Sequence, residues 1–308
     1  MKITLDLTDL VARGQLTQAE ADRLKQLAAA DTGALGVNIL LGLGTVGVAL
    51  GVGAILPDPW TAIGLGAALM GAGLGLRFSG ATRWAVFAQI CLVIGVLALS
   101  GGLVVKFEAA IWMESAITVG LAVVAVLAES GLLAALAVVM LTATLGSGTA
   151  YWHATYGFWV PHPALTVGVL SALTLACYLV SLRLPNTYER LALIAARTAI
   201  LLVNLGFLVG SLFGDDDVHW PDMVFVIGWA VVLVAVGAWA VRAGRRWVVN
   251  AVAVFAAIHF YTQWFERLGA SPFTVLGAGL LLVGFGVALR MLNRGAALPV
   301  AAAPTAVL

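Results

Sequence analysis

The chain has 308 residues, of which 62% are hydrophobic and 10% charged, and its mean hydropathy is +1.05. A soluble domain carries roughly 45–50% apolar and about 25% charged residues, so a water-soluble fold is excluded and lipid is the solvent for most of the chain. A net charge of +1 provides no basic field for nucleic acid.

Residues 1–32 differ from the rest. Leu7, Leu10 and Val11 recur at helical spacing until Gly14 interrupts them. Thr17 and Glu20 then have the form of a capping box, in which each side chain satisfies the other residue's backbone amide. A second short helix is predicted to about Ala30, giving a small cytoplasmic helical hairpin. The N-terminus lacks the basic-then-apolar order of a cleavable signal, so the first apolar span is expected to direct insertion.

From Gly33 onward, apolar runs of spanning length alternate with short polar breaks. A helix needs about 20 residues to cross roughly 30 Å of hydrocarbon. The predicted spans are 33–56, 60–76, 84–105, 109–128, 131–150, 163–182, 191–213, 223–241, 247–265 and 272–289. Proline and turn residues mark the breaks, as at Pro57-Asp58-Pro59, Pro161-His162-Pro163 and Pro185-Asn186. The fold class expected is all-α: a polytopic membrane protein of about ten transmembrane helices, with a bundle over 33–290 and a disordered cytoplasmic tail over 291–308.

Basic residues give an independent test of this count. Lys2, Arg13, Arg23, Lys25, Arg77, Arg83, Arg183, Arg190, Arg242, Arg245, Arg246, Arg290 and Arg294 all fall on one side. Lys106 and Arg267 fall on the other, and Arg197 lies inside a span. The positive-inside rule makes the richer side cytoplasmic, so both termini are expected inside and the location is a multi-pass inner membrane.

Cys91 and Cys177 sit in apolar stretches and read as small buried hydrophobes, without a disulfide. The 35 glycines include Gly47 with Gly51 and Gly71 with Gly75 at GxxxG spacing, and Gly277, Gly279, Gly284 and Gly286 along the last span. Close backbone approach at such positions packs membrane helices, and sliding or hinging is the functional alternative. The expected partners are the lipid bilayer and a second copy, through the N-terminal hairpin or the glycine-rich helices.

Ionisable groups inside spans are functional candidates because their burial in lipid is costly. Glu114 enters near the outer leaflet and suits a proton or cation site. Arg197 lies nearer the cytoplasm, where anchoring by snorkelling is the plainer role. Gln89, Asn204, Asn250 and His259 are weaker candidates, for each of which interhelical glue is the default reading. Asn204, His259 and Glu266 join Glu114 and Arg197 as tentative solute contacts. All four histidines fall on the outer side, and His219 has Asp215, Asp216, Asp217 and Asp222 nearby. A metal site there would use His219, Asp215, Asp217, His153 and His162. Trp60, Tyr151, Trp152, Tyr156, Trp159, Trp220 and Trp264 give an outer aromatic belt or a lipid- or glycan-facing groove. The chain has no nucleotide-binding loop, no H-E-x-x-H and no G-x-S-x-G, and no cofactor is expected.

Both ends carry a recognisable pattern. At the N-terminus it is Leu10-Val11-Ala-Arg-Gly14-Gln-Leu16-Thr17-Gln-Ala-Glu-Ala-Asp-Arg-Leu24. At the C-terminus it is Arg246, Asn250, Phe255, Trp264-Phe265-Glu266-Arg-Leu268-Gly269, then Gly277-Ala-Gly279 through Arg290. In these stretches the chain resembles a family of predicted bacterial membrane proteins known as domain of unknown function 2157. The resemblance implies a short cytoplasmic module ahead of a helical bundle and no activity. Relatives often carry a basic residue where this chain has Gln263, next to the aromatic pair and Glu266, so a pairing of that basic residue with Glu266 is not available here.

Three functions are compatible with this reading. The first is a small-molecule or ion carrier with a polar cavity reached by Glu114, Asn204 or His259. The second is a non-catalytic membrane protein in assembly, sensing or envelope maintenance, with a dry, tightly packed bundle. The third is a lipid-modifying intramembrane enzyme, which needs His153, His162 or His219 to meet the acidic loop.

Overall fold

A computed structural model describes residues 10–11, 14–80, 82–152 and 155–295. Among them are ten helices longer than one turn: α1 (Gln18–Ile55), α2 (Pro59–Phe78), α3 (Ala85–Lys106), α4 (Ile111–Leu127), α5 (Gly131–Thr144), α6 (Pro163–Ser181), α7 (Asn186–Phe213), α8 (Asp222–Arg242), α9 (Arg246–Leu268) and α10 (Pro272–Gly295). Each expected span overlaps one of them. Seven are long and apolar enough to cross a membrane: the Gly36–Ile55 part of α1, then α2, α3, α6, α7, α8 and α9. The apolar stretches of α4, α5 and α10 are shorter.

The all-helical expectation needs one correction. The span expected over 131–150 ends at Thr144, and an antiparallel hairpin follows, β1 (Gly148–Trp152) paired with β2 (Thr155–Trp159). Gly146, with φ +84°, takes the left-handed turn that stops the helix. The sequence beyond it is rich in threonine and aromatics, which favour extended chain over helix.

The N-terminal hairpin is also corrected. Gly14 does break the chain, with φ +69° and its amide bonded to the Val11 carbonyl. Thr17 and Glu20 form the capping box, Glu20 Oε2 accepting from Thr17 N at 2.9 Å and from the Thr17 hydroxyl at 2.7 Å. Those hydrogen bonds, the hydroxyl's first, hold the Glu20 carboxyl below its ordinary range. The helix so begun does not stop near Ala30. It continues as one 38-residue rod into the first span, because no proline interrupts Ala28 to Gly36 and isolated glycines are tolerated within a helix. Residues 1–9 and 12–13 lie outside the described residues. At the other end α10 reaches Gly295, so the tail expected from 291 begins as helix, and residues 296–308 lie outside the description.

The described chain divides into two compact units, Met1–Leu145 with Ala172–Ala199, and Gly146–Ser171 with Ile200–Leu308. In the first, α2 and α3 interlock through glycines. A Cβ on Gly73 would lie 2.8 Å from the Ala88 carbonyl oxygen, and one on Gly102 would lie 2.9 Å from that of Pro59. Gly66 and Gly95 face each other's helix backbone in the same way. Beside this pair, Leu92 and Val96 of α3 pack with Met113, Ile117, Leu121 and Ala125 of α4 and Leu133, Ala134 and Ala137 of α5.

Polar contacts fasten one end of this unit. Arg77, in the last turn of α2, pairs with Glu129 in the α4–α5 turn at 2.6 Å. The Arg190 guanidinium, early in α7, donates to the Glu129 carbonyl at 3.3 Å. Gln89 of α3 donates to the hydroxyl of Ser130, the residue that caps α5. Asn38, buried on α1, donates to the Arg83 carbonyl and accepts from the Phe87 amide, closing the entry to α3. Lys106 lies at the other end of α3, its ammonium 5.4 Å from the Trp60 ring centre at the start of α2.

In the second unit, α8 packs against α9, where Gly237 meets Val252. α10 is seated on α9 by two side-chain bonds to backbone, Tyr261 to the Ala278 carbonyl (2.7 Å) and Trp264 to the Thr274 carbonyl (3.1 Å). The far side of α10 is apolar and exposed, Phe273 at 85%.

Candidate functional site

Three helices of the second unit bring polar groups to one depth. Asn204 lies nine residues before the end of α7, Trp229 seven after the start of α8, and His259 nine before the end of α9. At 1.5 Å per residue these positions are about 10–14 Å from the ends of their helices, well inside the hydrocarbon. Trp229 is buried, and its indole Nε1 donates to Asn204 Oδ1 at 2.8 Å. Asn204 Nδ2 donates back to the Ile200 carbonyl of its own helix at 2.8 Å. Phe207 stacks on Trp229 with ring centres 6.3 Å apart, and His259 meets the same indole edge-on at 4.8 Å.

The imidazole is incompletely satisfied. His259 Nδ1 is shielded from solvent and has no hydrogen-bond partner, and the same holds for Nε2 of Gln263. These residues are four apart on α9 and therefore share a face. Arg267, four further on, continues that face, its Nε donating to Gln263 Oε1 at 3.2 Å and its Nη2 approaching the Met223 sulfur of α8 at 2.8 Å. A polar ladder thus runs along α9 from the helix end at Arg267 down to His259, about 12 Å. Shielded polar atoms are nearly always paired in folded proteins, and an unpaired one costs about 1–3 kcal/mol. Two on one helix face give a site that can accept from one side of a small solute and donate to another.

Of the residues predicted from sequence, Asn204 and His259 are brought together here, through Trp229. The others are not. Glu114 occupies the first turn of α4 in the first unit, partly exposed and without an ion pair among the described residues. A carboxylate there is favoured by the helix dipole. Arg197 lies on α7, exposed, and Glu266 is exposed in the last turn of α9. Gln263, Trp229 and Arg267 were not among the predicted site residues. The four-residue spacing of His259, Gln263 and Arg267 was the available signal.

The acidic loop between α7 and α8 has a structural role. Asp215 is 4% exposed, with Oδ2 accepting from the Ala164 amide at 2.9 Å and Oδ1 from the amides of Asp217 and Val218. Its backbone pairs reciprocally with that of Trp220. The carboxylate thereby ties the first turn of α6 to the α7–α8 loop, and His162 pairs with Asp217 beside it. His219 takes φ +54° at the loop's turn. Among the described residues no three His, Cys, Asp or Glu side chains are placed to hold a metal ion. His153 lies outside the described residues.

Compared with known proteins, the chain matches no family model, no curated protein and no solved structure.

Proposed function

We propose that the chain is a carrier of a small polar solute or ion in the inner membrane, with ten spans and both termini inside, and that the solute is met at the His259–Gln263 ladder. One observation carries this reading: two shielded, unpaired nitrogens on one face of α9, at hydrocarbon depth, beside the buried Asn204–Trp229 pair. Unpaired polar groups are expensive in lipid, and intramembrane polar residues mark solute and proton pathways. The topology is supported by Arg77 and Arg190 meeting at Glu129 while Lys106 lies at the far end of α3. The family resemblance bears on this architecture alone.

Melting of the detergent-purified protein tests the solute site. The panel contains sodium, potassium, magnesium, zinc, amino acids, sugars and small organic cations. A ligand at a hundredfold its Kd that binds only the folded state adds about 2.7 kcal/mol. A shift present in wild type and lost in His259→Phe, which keeps a ring against Trp229, supports the carrier and names its substrate class. A folded wild-type protein that no solute stabilises overturns it.

The second reading, a non-catalytic membrane protein in assembly, sensing or envelope maintenance, is favoured by the dry glycine interlock of α2 and α3.

A further inference from the structure

In the first unit, a cavity of about 200 Å³ lies among α2, α3 and α4. Its walls are apolar apart from Ser100, with Met70 of α2, Leu99 and Leu103 of α3 and Met113, Ala116 and Gly120 of α4 among them. Ala116 and Gly120 are exposed, so the slot opens sideways toward lipid. It is smaller than the roughly 300–1,000 Å³ of pockets for drug-sized ligands. It is also long: Met113 and Val124 both line it, and eleven helical residues span about 16 Å. Those proportions fit a single hydrocarbon chain.

One end of the slot is charged. Leu99, Leu103 and Lys106 follow one another at helical spacing on α3, so the lysine stands one turn beyond the last apolar wall. Lys106 is one of only two basic residues on its side of the predicted topology, which the positive-inside rule leaves unexplained. Two acids flank the same mouth: Glu108, exposed in the α3–α4 connection, and Glu114, next to the wall residue Met113. The connection is strained. Glu108 and Ala109 take φ +51° and +53° in succession, held by the Ala109 amide on the Val104 carbonyl at 2.9 Å. Left-handed non-glycine residues in pairs are costly and persist where surrounding structure imposes them. Aromatic rings lie at the same ends of these helices, Trp60 beneath the lysine and Phe107 edge-on to Trp112 at 5.3 Å.

We propose that this slot binds an amine-bearing zwitterionic phospholipid of the phosphatidylethanolamine kind. One acyl chain fills the apolar slot, the phosphate meets Lys106, and the primary ammonium meets Glu108 and Glu114. A purely anionic headgroup satisfies the lysine but faces two carboxylates, and a trimethylated amine cannot donate hydrogen bonds to them. The proposal is independent of the solute site, which belongs to the other unit.

The test is native mass spectrometry of the full chain released from mild detergent with phosphatidylethanolamine, phosphatidylglycerol and phosphatidylcholine of matched acyl chains. Wild type retains the ethanolamine lipid in preference to both others. Gly120→Leu places a side chain in the slot where a Cβ meets nothing within 4 Å, and lowers retention about tenfold, the equivalent of 1.4 kcal/mol. Lys106→Gln and the double variant Glu108→Gln/Glu114→Gln each abolish the headgroup preference while leaving the slot open. Melting curves show which variants are folded, and Ala116→Leu replaces Gly120→Leu if the latter is not. Equal retention of the three lipids by wild type, or undiminished retention in a folded slot-filling variant, overturns the proposal.

Discussion

Asn204 divides its side chain between two partners, the amide nitrogen held by the Ile200 carbonyl and the oxygen by the Trp229 indole. The first bond is local to α7; the second joins α7 to α8 and is the one that bears on the fold of the unit. Asn204→Leu removes it and leaves a buried indole N–H without an acceptor, and Trp229→Phe leaves the asparagine oxygen unpaired. Each is expected to lower stability. The double variant is expected to cost less than the sum by about 0.5–1.5 kcal/mol, the range of hydrogen bonds between membrane helices. Reversible unfolding in mixed detergent measures this cycle, and strict additivity would show that the bond contributes nothing. Asn204 was visible in the sequence as a polar residue in an apolar run. Trp229 was not, because a tryptophan inside an apolar run reads as part of the apolar face.

Helix boundaries were legible to within a few residues at the proline breaks, as at Pro59, Pro163 and Pro272. They were not legible where a helix simply continues, as α1 does past Ala30, or where the chain leaves a helix for a strand while staying apolar, as at Gly146. The glycines show a further limit. The GxxxG pairs Gly47–Gly51 and Gly71–Gly75 suggested packing faces, yet a Cβ at any of the four meets nothing within 4 Å. The interlock uses Gly66 with Gly73 and Gly95 with Gly102, each pair seven residues apart. That spacing keeps both members on one seam of two nearly antiparallel helices. Spacing alone does not say which stripe meets a neighbour, since that depends on which helices are adjacent. The difference is measurable. Gly95→Ala drives a methyl into the Met70 backbone and is expected to destabilise by about 1–3 kcal/mol. Gly71→Ala is expected to be neutral or stabilising by about 0.5 kcal/mol, from helix propensity alone. Equal effects in thermal unfolding would mean that α2 and α3 do not meet along this seam.

For the whole molecule, the decisive issue is whether the two shortest apolar helices cross. α4 has 17 residues and α5 has 14, about 25 and 21 Å against roughly 30 Å of hydrocarbon. If the pair were a re-entrant loop dipping from the outer face, the Glu129 turn would stop in mid-membrane. Instead Glu129 is bonded by Arg77 at the end of α2 and by Arg190 at the start of α7, two residues that charge asymmetry assigns to the inside. In the proposed topology the turn belongs with the inner ends and both short helices cross, locally thinning the bilayer. Single cysteines in a background with Cys91 and Cys177 replaced test six of the nine connections. Glu108→Cys, Asp216→Cys and Ala270→Cys are expected to react with an impermeant maleimide on intact cells. Ser79→Cys, Thr187→Cys and Ala243→Cys react only after permeabilisation. All six parent residues are exposed, so failure to react reports the side of the membrane and not burial. Reversed labelling would overturn the orientation. An inward Asp216→Cys beside an outward Glu108→Cys would show that the chain crosses an odd number of times between them, so that one or three of the helices α4 to α7 stay out of the bilayer.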